Sequence, residues 1–237
     1  MKFSCEKALL LAAVNTASRA VSPKSSIPAL EGLLLEADAH LTVSGYNMQT
    51  GIRTTVAAAV TEGGSLVLSA RLFGDMIRRL PDDIVVFASD KNLNVKLTCG
   101  DASYDLSAIS AADYPDLPEV EDQFSFQIQQ KILRSMIGET SFAVSTNEAR
   151  PVHTGSLFEV DSTGVTVVSV DGYRLALRHE SIEESGGLPS YSFVVPGAAL
   201  NEVEKICSDV DDPATVTQGE RHVLFRIGDT MLVSRRL

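Results

Sequence analysis

The side chains in this chain that suit chemistry are scattered, and their spacing assembles no catalytic set. Acidic groups stand together at Asp82-Asp83, at Glu183-Glu184 and from Asp209 to Asp212. Carboxylates of this kind gather Mg²⁺ in nucleases, but each group follows a helical stretch or lies in a loop, where acids are ordinarily solvated. His40 and His179 fall in expected turns or strand ends, and there is no G-x-S-x-G elbow or paired serine to act as nucleophile. No two histidines or acids share a helix face at ligand spacing, and no glycine loop of the phosphate- or dinucleotide-binding type occurs. Cys5, Cys99 and Cys207 are odd in number and lack a C-x-x-C partner. They read as small buried apolar residues in a reducing cytosol. No metal and no cofactor is expected.

The basic residues are the more informative set, because several fall on helical periods. Arg71, Arg78 and Arg79 are interleaved with Phe73, Met76, Ile77 and Leu80 at core spacing, and Lys131 and Arg134 lie on a second helix. Two readings follow from spacing: a row of helices presenting cations to phosphates without reading bases, or ordinary solvated helix faces. A further helix favours the latter, since Glu202 and Glu204 outweigh Lys205.

The elements that must position these residues repeat. Met1-Lys2-Phe3-Ser4 followed by Leu9-Leu10-Leu11 and Val14 has its counterpart in Phe124-Ser125-Phe126-Gln127 followed by Ile132-Leu133 and Met136-Ile137. Each is a short strand running into an amphipathic helix. Hairpins follow, with Leu33-Leu34-Leu35 and Leu41-Thr42-Val43 in one half and Leu157-Phe158-Glu159 and Val165-Thr166-Val167 in the other. The turns between them carry Asp38-Ala39-His40 and Asp161-Ser162-Thr163-Gly164. Ser65–Leu68 then leads into a helix over 70–80, and Ser192–Val195 into one over 198–206, each followed by further strands. The expected fold class is α+β, as tandem copies of one module over 1–118 and 119–237. Ala112 to Glu119, with its prolines and acids, is the expected linker. The second half stops at Ser234-Arg235-Arg236-Leu237, where a second linker would begin.

Composition sets limits. The formal net charge is −11, with 10 Lys and Arg against 14 Asp and Glu in residues 1–120 and 10 against 17 thereafter. A surface that grips nucleic acid everywhere is excluded, though one basic face is not. Lys2 and Lys7 ahead of Ala8 to Val14 outline a signal peptide, but Glu6 interrupts the basic part and the same pattern returns mid-chain. No stretch is long enough to span a membrane.

Motif order over the whole chain resembles the first two domains of the bacterial sliding clamp family, the DNA polymerase III beta subunits. The matching segments are Met1-Lys2-Phe3, Ile27-Pro28-Ala29-Leu30, Ala111-Ala112-Asp113-Tyr114-Pro115, Glu148-Ala149-Arg150-Pro151 and Val170-Asp171-Gly172-Tyr173-Arg174-Leu175-Ala176. The resemblance implies the clamp module, with antiparallel sheet outside and two helices inside. It also implies a homodimeric ring of three-domain subunits in the cytoplasm, encircling duplex DNA irrespective of sequence. Such a ring is non-catalytic and tethers the replicative DNA polymerase catalytic subunit and the clamp loader. By this resemblance Lys24 and Asn147 contact DNA from equivalent loops, and Arg71, Arg78 and Arg79 face the bore. Gly197 and Ala198 stand where some members are basic.

The same resemblance implies a pocket for short apolar peptides formed by Arg150, His153, Val170, Gly172, Tyr173, Arg174 and Leu175. His153 replaces an expected aliphatic residue, and plain strand core is the competing reading for Val170 and Leu175. Tyr104 and Leu106 are expected on an edge strand at the subunit interface, exposed when no partner covers them. A two-module peptide-binding protein that does not encircle DNA is the alternative function, and a metal-dependent nuclease the third.

Overall fold

The computed structural model describes residues 1–121, 123–182 and 189–237, and the chain divides into two compact units, Met1–Leu117 and Pro118–Leu237. The first contains β1 (Lys2–Glu6), α1 (Lys7–Ser18), β2 (Gly32–Ala37), β3 (Leu41–Tyr46), β4 (Thr50–Val56), β5 (Ala59–Glu62), β6 (Gly64–Ser69), α2 (Ala70–Arg79), β7 (Ile84–Ser89), β8 (Asn94–Cys99), β9 (Ala102–Ser107) and β10 (Ile109–Ser110). The second contains β11 (Phe124–Gln129), α3 (Gln130–Thr140), β12 (Gly155–Asp161), β13 (Gly164–Val170), β14 (Leu175–Glu180), β15 (Tyr191–Pro196), α4 (Gly197–Ile206), β16 (Pro213–Gln218), β17 (His222–Ile227) and β18 (Thr230–Arg235).

In the first unit the strands pair antiparallel in the orders β5-β1-β7-β8-β9 and β10-β6-β2-β3-β4. The second repeats the plan as β11-β16-β17-β18 and β15-β12-β13-β14. Corresponding pairs recur: β1 with β7 and β11 with β16, β2 between β3 and β6 and β12 between β13 and β15. Alternation along the strands puts Leu33, Leu35, Val85, Phe87, Val95 and Leu97 on the same core as Leu10 and Phe73. Phe3 and Phe87 stack across β1 and β7 with centroids 4.7 Å apart.

The signal-like opening is α1, whose buried residues Leu10, Ala13, Val14 and Ala17 follow one helical stripe. It approaches β3 closely at Gly45, where a methyl group would overlap the carbonyl oxygen of Ala17. On α2 the stripe is Ala70, Phe73, Gly74 and Ile77, which turns Arg71, Arg78 and Arg79 outward. Among the described residues, no helix is long and apolar enough to cross a membrane.

Two expectations require correction. Tyr104 and Leu106 do lie on β9, which ends its sheet, but Leu106 is buried and Tyr104 only half-exposed. Leu106 is 7% exposed and sits in the core, with Tyr104 packed against the same cluster, because the pleat turns Ser103, Asp105 and Ser107 to solvent instead. The segment after β10 is also more than a connector. Tyr114 is buried with Ala29, Leu30, Tyr46 and Val67, and its hydroxyl donates to the Ser44 carbonyl at 3.4 Å. That burial raises its pKa above the ordinary tyrosine value.

Gly45→Ala should lower stability by about 1–3 kcal/mol through overpacking against α1, read as a lower midpoint in urea unfolding. An unchanged midpoint would show that α1 is not held by this approach.

Candidate functional site

The helices of the first unit carry exposed cations beside a groove of about 530 Å³ lined by Asn15, Ser18, Ser22, Arg71, Asp75 and Arg78, among others. Ser69 caps α2, its hydroxyl accepting from the Leu72 N–H at 3.4 Å. Arg78 is tied to Asp75 at 2.9 Å, so part of its charge is already matched. Lys24 is exposed in the loop after α1, where the Ser22 hydroxyl donates to its carbonyl at 2.9 Å.

The second unit is less basic on its helices. Lys131 pairs with Asp211, and Lys205 with Glu202 at 2.7 Å. Asn147 is exposed, but its side-chain oxygen accepts from the Ala149 N–H at 3.0 Å, which leaves the amide NH₂ as the group that points elsewhere. Of the cations that the resemblance assigns to DNA, Lys24, Arg71 and Arg79 are exposed without an ion pair among the described residues, and Arg134 on α3 is exposed in the same way.

The acidic groups among the described residues form no metal centre. Asp82 pairs with Lys7 at 2.6 Å, Asp83 accepts from the Ile84 N–H at 2.7 Å, and Asp211 is taken by Lys131. Glu183-Glu184 lie outside the described residues, and among those described no three metal-ligating side chains converge. His179 shares a hydrogen bond with Thr166 across β13 and β14 at 2.9 Å. All three cysteines are free and buried, and burial pushes the Cys207 thiol up to about 12.

The turn between β13 and β14 is the most constructed part of the second unit. One Asp171 oxygen accepts from the backbone N–H groups of Tyr173 and Arg174, both at 2.9 Å, closing an Asx turn. The other accepts from the Arg174 guanidinium at Nε (3.0 Å) and Nη2 (2.8 Å). The backbone donors first, then the guanidinium, pull the Asp171 carboxyl down to about 2. Gly172 takes φ +94° here, a conformation other residues adopt only with strain.

The turn displays apolar surface. Tyr173 is 99% exposed and Leu175 66% exposed. Leu175 is therefore not strand core: β14 buries Ala176 and turns Leu175 and Leu177 outward. Val170, paired with Leu175 across the strands, is half-buried. Arg150 and His153 occupy the loop that leads into β12, held by bonds from the His153 N–H to the Arg150 carbonyl (3.0 Å) and from the Ser145 N–H to the His153 carbonyl (2.9 Å). Arg178 on β14 reaches Glu139 on α3 at 2.6 Å, anchoring the strand that carries Leu175.

Sequence reasoning missed two participants. Phe142, 57% exposed, lies under the Arg174 guanidinium with 5.9 Å from Cζ to the ring centroid, and Asp171 holds the same group. The Asp-x-x-Arg spacing was a usable signal for the second. The first comes from a distant segment and left none.

The first unit thus carries exposed cations on its helices, and the second an exposed apolar turn between β13 and β14. Residues 1–118 match the family described as DNA polymerase III beta subunit, N-terminal domain, and residues 127–237 its central domain. The beta sliding clamp of Staphylococcus epidermidis is 31% identical over 246 residues, covering 100% of this chain and 65% of the relative. Two solved structures superpose with TM-score 0.95 and 30% identity over 100% of the chain. They are a putative DNA polymerase III beta subunit from Eubacterium rectale, 65% covered, and the DNA polymerase sliding clamp from Bacillus subtilis, 64% covered. The chain belongs to the DNA polymerase III beta subunit family. It spans just under two thirds of the length of the relatives it matches.

The Asp171 turn should be insensitive to pH across the neutral range. A carboxyl depressed from 3.8 to about 2 contributes stability that is fully present above about 4 and lost as pH falls through 2. Carbon-detected NMR should place the Asp171 midpoint near 2, whereas a midpoint near 4 would mean that the turn bonds do not persist in solution.

Proposed function

We propose that this chain works in a processivity clamp of chromosomal replication: a cytoplasmic, non-catalytic homodimeric ring that encircles duplex DNA and tethers the replicative polymerase and clamp loader. The observation that carries the reading is that both units match, in order, the first two domains of a family whose relatives are named as beta sliding clamps. The charge pattern supports it. A protein of net charge −11 repels DNA from most of its surface, so exposed cations on the helices give it one face for phosphates.

In this reading Lys24 and Arg71 make the principal phosphate contacts, with Arg78, Arg79 and Asn147 contributing. Arg78 is the weaker cation because Asp75 shares it. Topological closure removes the need for tight binding, and contacts to phosphate alone permit sliding. The subunit interface forms at the open edge of β9, the strand that carries Tyr104 and Leu106. Polymerase and clamp-loader peptides dock on the second unit at Val170, Gly172, Tyr173, Arg174 and Leu175, bordered by Arg150 and His153.

Loaded on nicked circular plasmid by a clamp loader with ATP, the complete protein should remain bound, and cutting the plasmid should release it within minutes. Equal loss from circle and linear DNA would contradict encirclement. Removing the Arg71 charge by Arg71→Ala should also lower the slope of log affinity against log salt by about 1. An unchanged slope would remove Arg71 from the DNA face.

A further inference from the structure

Arg71 and Arg78 are seven residues apart on α2, so they share one side of the helix, about 10 Å from each other along its axis. Asp75 stands between them on that side, four positions after Arg71 and three before Arg78. It is spaced to meet either and pairs with one. Its Oδ1 accepts from Arg78 Nη1 at 2.9 Å, whereas Arg71 is exposed without an ion pair among the described residues. Helix geometry accounts for the choice, because an acid on the N-terminal side of its cation is the favoured order and the reverse is the weaker one.

The groove beside α2 is balanced in the same way. The charged groups in its lining are Arg71 and Arg78 against Asp75 and Glu31, and the Glu31 carboxylate is held in place by the Ser25 N–H at 3.0 Å. From α1 the groove receives Asn15 and Ser18, which are uncharged. A face built only to grip phosphate has no use for carboxylates, since each one repels the strand and matches a cation that would otherwise displace counterions from DNA. A face that holds DNA and still moves along it needs its grip limited. The pair on α2 suits that role because its side chains are 59% exposed at Arg78 and 46% at Asp75. In water such a pair is weak, so a phosphate competes with Asp75 for Arg78 and is not shut out.

We propose that Asp75 limits how tightly the helix face holds duplex DNA, by keeping the Arg78 charge matched within α2, so that the loaded ring slides with Arg71 as the full-strength cation of that helix side and Arg78 as a partial one. The inference rests on the DNA-face reading above. Asp75 is a positioning residue in it, acting through Arg78. Each step along the duplex breaks the phosphate contacts of the step before, so freeing Arg78 strengthens the hold and slows the movement.

The test follows the complete protein, dye-labelled and loaded on a linear duplex with both ends blocked, by single-molecule tracking at low and at high salt. Asp75→Asn, which keeps the shape of the side chain but removes its charge at an exposed position, should slow diffusion about twofold to fivefold at low salt, and the difference should shrink at high salt. In the presence of Arg78→Gln the same substitution should have no effect of its own. If Asp75→Asn diffuses as the unaltered protein does, or slows the ring just as much with Arg78→Gln present, the inference is overturned; in the second case Asp75 acts by its own repulsion of phosphate. Arg71→Ala keeps the two readings apart. If it speeds diffusion while Asp75→Asn changes nothing, the DNA face stands and this inference alone fails. If neither substitution alters diffusion, the DNA-face reading fails and takes this inference with it.

Discussion

In the first unit α1 runs so close to β3 that only glycine fits at position 45, and this contact orients the whole helix pair. With Leu10, Ala13, Val14 and Ala17 pressed against the strands, the opposite face of α1 and the loop bearing Lys24 have one direction left to point. The α2 helix, packed beside α1 with Phe73 and Ile77 inward, is fixed in the same way, and Arg71 and Arg79 emerge on its free side. The position of the cations is thus a consequence of apolar packing, which is stronger and less sensitive to salt than any contact the cations make themselves.

The second unit uses the same frame for a different surface. Its helix cations are largely paired, Lys131 with Asp211 and Lys205 with Glu202, and its constructed feature is the turn from β13 to β14. The equivalent turn in the first unit makes the same kind of bond: the Asn47 side-chain oxygen accepts from the N–H groups of Gln49 and Thr50, at 3.0 and 2.8 Å. Where Asn47 ends there, Asp171 has a second charged oxygen, and that oxygen captures Arg174. One repeated module therefore presents cations from its helices in one copy and a shaped apolar turn in the other.

Much of this was legible because helices and strands have different periods. The stripe of α2 and the paired hairpins of both units follow directly from residue spacing, as does the repeat itself. Side-chain direction on β9 was not legible, since an alternating strand reads equally well in either register and only the sheet decides that Leu106 turns inward. In the sequence Tyr114 belongs to a linker, since the prolines and acids around it are those of a loop, yet its ring closes a satellite core over β2, β3 and β6. Phe142 escaped for another reason. Its partner Arg174 lies 32 positions further along, and no local pattern links the two segments.

In the proposed clamp the helix face, rather than the sheet face, meets DNA. A photo-crosslinking residue placed at Arg71 on α2 or at Lys96 on β8 separates position from charge, because both sites are basic and exposed. With the complete protein loaded on nicked circular duplex, crosslinks should form from position 71 and be absent from position 96. Comparable yields from the two positions, or crosslinks from 96 alone, would contradict the account.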